Sequence, residues 1–175
     1  MSSSNFHKVL QFNQAFGVDC PDSPRPNLFD EKPETVRLKI KMIVEEVNEL
    51  LEACAEKDPV EALDALADIL YVVYGAGLAF GFDMNEAFDR VHRSNMSKMC
   101  DTLAQAQATV ESYKEQRKQQ GISFPYDSPA FRKNESCGKY VIYNVSSGKI
   151  LKSKDYQPVQ LRDLVWTHDH DREAL

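Results

Sequence analysis

One stretch restricts the fold more than any other: Asp58 to Gly81, DPVEALDALADILYVVYGAGLAFG. Asp58 suits a helix cap, Pro59 the first helical position, and Glu61 falls three residues after the cap. Gly81 suits the stop. At ~100° per residue, Leu63, Leu66, Ile69, Leu70, Val73 and Tyr74 cover most of the circumference, which predicts a buried helix. One stripe nevertheless carries Glu61, Asp64 and Asp68, continued by Tyr71 and Gly75. An ionised carboxylate at the edge of a core is costly unless a cation or a donor meets it. The chain must supply that partner or bind it.

The preceding segment, Glu31 to Glu56, reads as a long helix starting near Pro33. Ile40, Ile43, Val47, Leu51 and Cys54 form a narrow apolar arc, widened by Val36 and Val44, and are expected in the core. Glu45, Glu49, Glu52 and Glu56 stand opposite, with Glu46 on the flank. Leu38 and Met42 share that side, which predicts a second contact surface, such as a helix of a partner subunit. Lys57 to Pro59 is a tight connection, so the two helices should form an antiparallel hairpin. Glu46 and Glu49 then approach Asp64 and Asp68. Carboxylates converging in one cleft raise each other's pKa, and a hard divalent cation such as Mg²⁺ relieves the repulsion through oxygen ligands.

Ser4 to Phe16 reads as a first helix ended by Gly17. Asp83 to about Lys98 reads as another, with Phe88 and Val91 facing the core and Arg93, Asn95 and Lys98 concentrated at its end. Positive groups there also suit the helix dipole. Asp101 to Gln120 is a polar helix, anchored by Leu103, Val110 and Tyr113 and expected at the periphery. Gly121 to Ser136 has turn chemistry, and Lys139 to Val145 with Lys149 to Lys152 suggests a β-hairpin turned at Ser146-Ser147-Gly148. The expected fold is all-α: an antiparallel bundle of about four main helices with a small C-terminal β-hairpin. Its expected parts are a helical core at 1–98, an insertion at 99–137, a hairpin with closing segment at 138–166, and a polar tail at 167–175. His168 and His170 in that tail are not expected to bind metal.

At 175 residues, 42% hydrophobic and 27% charged, the chain has the size of one domain and the composition of a soluble one. A net charge of −6 argues against nucleic-acid polymers and anionic membranes as partners. No signal-peptide run is expected, nor the ~20 apolar residues of a membrane span. Cys20, Cys54, Cys100 and Cys137 have no CxxC spacing, so a reduced, cytoplasmic setting is expected, with Cys54 as a small core residue.

Three segments belong together: Glu45-Glu46-Val47-Asn48-Glu49, Asp64 through Tyr71, and Ser94-Asn95-Met96-Ser97-Lys98. The set resembles the all-α nucleoside triphosphate pyrophosphohydrolases, the MazG-like and phosphoribosyl-ATP pyrophosphohydrolase-like superfamily. That family pairs EExxE on one helix with ExxD on the next. Glu45, Glu46 and Glu49 match the first motif, and Asp68 before Ile69-Leu70-Tyr71 matches the aspartate of the second. Ala65 stands where the family usually has glutamate; Asp64, or Glu61, is the available substitute. The phage-type branch is closer still, through Val91 to Lys98 and through Gly148-Lys149-Ile150-Leu151-Lys152 followed by Tyr156, Pro158 and Leu161.

The resemblance implies hydrolysis of a nucleoside triphosphate to monophosphate and pyrophosphate. It implies Mg²⁺, with Mn²⁺ as the alternative, on Glu46, Glu49, Asp64 and Asp68, and Glu45 or Glu46 handling the attacking water. Asn95 and Lys98 would meet phosphate or sugar, with Arg93, Lys149, Lys152 and Tyr71 as further substrate contacts. Phe12, Phe16 or Tyr71 could stack on the base, but core packing is the expected role of each. Apolar helix faces in excess of one chain's core imply a homodimer or a dimer of dimers. The rival reading is a catalytically inactive helical module of the same fold that dimerises or binds protein, which Ala65 favours. A di-iron bundle needs Glu-x-x-His pairs, and these helices have none.

Overall fold

The computed structural model describes residues 4–166. The elements are α1 (Asn5–Ala15), α2 (Leu28–Glu31), α3 (Pro33–Glu56), α4 (Pro59–Phe80), α5 (Met84–Met96), α6 (Leu103–Gln120), β1 (Pro129–Lys133) and β2 (Tyr140–Asn144), with short 3₁₀ turns at Gly121–Ser123 and Arg162–Leu164. The fold is all-α with a small antiparallel β-hairpin, as the sequence predicts. The chain divides within α5 into a first unit, up to Phe88 and from Leu161 onward, and a second, Asp89–Gln160. The histidines expected in the polar tail lie outside the described residues.

The first unit is built on the α3–α4 hairpin. Lys57 turns the chain in the left-handed region (φ 61°), and Asp58 Oδ1 accepts from the Val60 and Glu61 amides at 2.8 and 3.2 Å. α4 ends at Gly81 with φ 74°. A Cβ there would lie 2.0 Å from the Ser23 carbonyl oxygen, so only glycine fits. The loop from Val18 is tied down by Asp19, which accepts from Arg25 at 2.7 Å.

The seam between α3 and α4 differs from the expected one. On α4 its residues are Ala62, Ala65, Ile69, Val72, Ala76 and Ala79, all buried or half-buried. Four alanines in that row let the backbones approach closely. The facing arc of α3 is Lys39, Met42, Ile43, Glu46, Leu50 and Ala53, also buried or half-buried. Ile40, Val44, Val47, Leu51 and Cys54, expected in the core, are exposed, as are Leu63, Leu66 and Leu70 of α4. α3 carries two apolar arcs, and the one that fits an alanine ridge is the one that holds Glu46. Phe88 and Val91 of α5 are likewise exposed, because the buried position on this helix is Ser94.

α4 corrects a second expectation. Its 22 residues are long and apolar enough, by length and composition alone, to cross a membrane. Here, however, it forms the seam with α3 and carries Glu61, Asp64 and Asp68 along its side, which suits a core helix.

The second unit is organised by α6, which is therefore not peripheral. Thr102 and Gln105 form a capping box at its start. Ala106 and Val110 join Cys100, Ile142 and Leu151 in a core flanked by Tyr113, Tyr126, Phe131 and Tyr140. Ala106 and Ile142 are 0% exposed. β2 pairs with β1 in the register Pro129↔Asn144 to Lys133↔Tyr140, so its partner comes from the stretch that read as turns. The expected return through Lys149 to Lys152 is reduced to one bridge, Tyr143↔Ile150. All four cysteines are free; Cys100 is buried and Cys54 is not.

Candidate active site

The hairpin places five carboxylates around one position. Glu46 sits in the seam and is half-buried, whereas Glu45, Glu49, Asp64 and Asp68 are exposed around it. Burial pushes the Glu46 carboxyl above the usual carboxylate range. The negative charges of Glu49, Asp68, Glu45 and Asp64 push it further. This convergence follows from the connection: both acidic groups lie within a few turns of Asp58, and antiparallel helices bring equal heights together. Glu45 is also held by Lys41 one turn earlier, at 3.2 Å. Asp58 bonds to the first α4 amides and caps the helix.

The donor set is all oxygen and anionic, which is the chemistry of a hard divalent cation. The repulsion around Glu46 is the kind that such a cation relieves. Among the described residues, no three acids, histidines or cysteines are drawn together tightly enough to hold an ion as they stand. Ala65, the departure from the EExxE/ExxD pattern, is 3% exposed in the seam. Its methyl group fills the space between the helices, so the acids of α4 flank the seam instead of entering it.

Tyr71 lies less than one turn beyond Asp68 on α4. Its ring meets the edge of Phe12 at 5.6 Å, and Phe12 stacks on Phe16 at 4.3 Å. Beside it, Asn5, Lys8, Val9, Ala67, Leu70 and Tyr74 complete a pocket of about 150 Å³ between α1 and α4.

The remaining expected residues belong to the second unit. Lys98 Nζ donates to Asn95 Oδ1 at 2.7 Å, so these two are brought together. Two serines that the sequence reading passed over fix their segment. Ser94 Oγ donates to the Gln157 carbonyl at 2.8 Å and pairs with the Tyr156 hydroxyl at 3.1 Å. Ser97 Oγ accepts from the Gln157 amide at 2.9 Å, and the Ser97 carbonyl accepts from Ser153 Oγ at 2.9 Å. The sequence singles out both segments, SNMSK and GKILK with Tyr156, but carries no sign that the two serines join them. Lys152 lies 4.4 Å from the Tyr156 ring centroid and Lys149 5.2 Å from that of Tyr126, each held by a cation–π contact. Lys149 therefore belongs to a different part of this unit than the Asn95–Lys98 pair. Arg93 lines a cleft of about 230 Å³ with Arg90, Ser94 and the 157–160 segment.

Comparison with known proteins meets this geometry. Residues 9–95, from α1 to the end of α5, match the family model for phosphoribosyl-ATP pyrophosphohydrolase. The span contains all five acids, Tyr71, Arg93 and Asn95, and leaves out Lys98, Lys149 and Lys152. A relative from Acanthamoeba polyphaga mimivirus, described as uncharacterized protein L479, is 30% identical over 93% of this chain and 96% of its own length. Members of the matched family are nucleotide pyrophosphohydrolases, hydrolases acting on phosphoric anhydrides. On an all-α fold, with EExxE on α3 facing the acids of α4 and a viral homologue over nearly its whole length, the chain belongs to the phosphoribosyl-ATP pyrophosphohydrolase family of the MazG-like superfamily.

Proposed function

We propose that the chain hydrolyses nucleoside triphosphates between the α- and β-phosphates, releasing the monophosphate and pyrophosphate. The observation that carries this reading is the convergence of Glu45, Glu49, Asp64 and Asp68 on the half-buried Glu46 where α3 and α4 pack as a hairpin. Glu46, Glu49, Asp64 and Asp68 are the residues to hold Mg²⁺, or Mn²⁺ in its place. Such an ion supplies charge stabilisation to the phosphates and to the transition state. Glu45 or Glu46 orients the attacking water and takes its proton. Tyr71 and the aromatic slot with Phe12 offer a surface for the base. Asn95 and Lys98 offer donors for sugar and phosphate oxygens, with Arg93 and Lys152 as further cationic contacts; Lys149, held on Tyr126 away from that pair, is left out of the set.

We also propose that the chain works as a homodimer or a dimer of dimers. The exposed apolar residues of α3 and α4 support this, because a contiguous apolar face of this kind ordinarily marks an interface.

Asp68→Asn tests the metal assignment. Pyrophosphate release from a nucleotide panel with Mg²⁺ should fall by orders of magnitude, as the loss of several kcal/mol of transition-state stabilisation requires. Thermal unfolding separates this from misfolding. Wild type should gain stability from Mg²⁺, by about 2.7 kcal/mol at a hundred times Kd, and Asp68→Asn much less. Equal Mg²⁺ responses, or a variant unstable even in chelator, would remove Asp68 from the ligand set.

A further inference from the structure

The second unit contains a cleft for which the pyrophosphohydrolase reading has no use. Residues 89–160 carry twelve lysines and arginines against seven acids, a net of +5; the rest of the chain, with nine against twenty, stands at −11. Within this cationic unit, Lys114, Arg117 and Lys118 of α6 line a cleft of about 460 Å³, facing Asp127, Ser128 and Pro129 from the loop entering β1.

The three cations recur at i, i+3 and i+4, so they share one helix face. Lys114 is tied to Glu111 at 3.6 Å. Arg117 and Lys118 make no side-chain hydrogen bond or ion pair among the described residues. The helix dipole favours cations in this last turn. It does not account for a cleft in front of them, or for a fixed carboxylate across that cleft.

Asp127 is fixed by donors that converge on one oxygen. Its Oδ1 accepts from Ser128 Oγ at 2.8 Å, from Asn144 Nδ2 at 3.0 Å and from Ser146 Oγ at 2.5 Å. Asn144 is buried and also accepts the Ser128 amide on its own Oδ1 at 2.9 Å. These bonds hold the carboxyl down to about 2, so it is ionised at neutral pH. Among the described residues, no other residue donates to Oδ2; the remaining donor to the carboxyl is Asp127's own amide. One wall therefore offers two cations, Arg117 and Lys118, without an anion beside a Lys114 shared with Glu111, and the other a carboxylate oxygen to which no other residue donates.

An inorganic anion would satisfy the first wall and be repelled by the second. A phosphorylated sugar satisfies both, and the cleft is large enough for more than a phosphate group. We infer that this cleft binds the sugar-phosphate moiety of a small metabolite, with phosphate on Lys114, Arg117 and Lys118 and a sugar hydroxyl donating to Asp127 Oδ2. The cleft is built from residues of the second unit alone, and the inference does not depend on the catalytic role proposed for the acids of α3 and α4.

Calorimetric titration in chelator tests it, with inorganic phosphate, ribose 5-phosphate and AMP as probes and the unsubstituted chain as reference. Ribose 5-phosphate should saturate one site per chain and bind about tenfold tighter than inorganic phosphate, the contribution of one hydrogen bond to a charged acceptor. The doubly substituted Arg117→Ala/Lys118→Ala chain should lose about tenfold or more for both. Asp127→Asn should weaken ribose 5-phosphate yet tighten inorganic phosphate, because a repelling charge is removed. AMP tighter than ribose 5-phosphate supports a nucleotide occupant and equal affinity a free sugar phosphate; both sustain the site. No saturation by about 10 mM ribose 5-phosphate, equal affinity for ribose 5-phosphate and inorganic phosphate, or an unaffected Arg117→Ala/Lys118→Ala chain would overturn the inference.

Discussion

Leu63→Asp should dissociate the proposed dimer without unfolding the chain. Leu63 is 69% exposed and Leu51 62%; Ile40, Val44, Val47, Leu66 and Leu70 are between 40% and 55%. Full burial of such a side chain contributes about 1.5–3 kcal/mol, so the area still open on each corresponds to roughly 1–1.5 kcal/mol. A two-fold interface presents every residue twice, giving on the order of 14–21 kcal/mol gross for seven positions. Association costs about 4–15 kcal/mol against that. The middle of these ranges leaves about 8 kcal/mol, a micromolar Kd. Leu63→Asp removes the leucine contribution in both copies and puts two unpaired carboxylates into the interface, a loss of at least ~4 kcal/mol. The Kd should then rise by about a thousandfold. Within the single chain the residue is mostly exposed, so the melting temperature of the monomer should barely move. Sedimentation velocity at ~10 μM should show wild type at twice the 19.9 kDa chain mass and the variant at one chain mass. A wild type that stays monomeric at tens of micromolar would refute the argument from apolar area, and a Leu63→Asp dimer would refute the assignment of the face.

Two further outcomes follow from local geometry. Gly81→Ala should destabilise the first unit by more than ~1 kcal/mol, since φ 74° and the 2.0 Å approach of the Ser23 carbonyl both exclude a Cβ; denaturant unfolding measures it, and an unchanged midpoint would show that the loop yields. Asp127, held at about 2 against an ordinary 3.8, contributes stability that is complete above pH ~4 and is lost as pH falls towards 2; Asp127→Asn should flatten that acid limb, and parallel pH profiles would contradict the assignment.

Much of the fold was legible because its signals are local. Asp58, Pro59 and Gly81 set the bounds of α4 within a few residues of each cap, and the short connection fixes the antiparallel hairpin on which the acids converge. The face of α3 was not legible. Ile40, Val47 and Leu51 repeat as regularly as Met42, Ile43 and Leu50, and periodicity cannot distinguish apolar area covered by the same chain from area left open on it. β1 was missed because Pro129 through Lys133 shows no alternation and pairs through contacts distant in sequence. α6 looked peripheral because it buries small residues, Ala106 and Thr109, which carry little hydropathy.

Ala65 joins the fold to the site. The family pattern expects an acid there, and the sequence alone leaves open whether its absence means lost function. In the structure the position points into the seam, where Glu46 already stands half-buried. A second carboxylate at that depth would add desolvation and like-charge repulsion to a group that is already pushed upward. With alanine at 65, α3 supplies the half-buried acid and α4 supplies Asp64 and Asp68, both exposed, beside it. Negative charge around Glu46 is thus kept while the helices close on a methyl group. The departure from the motif redistributes the carboxylates around Glu46, and four of them remain as its neighbours.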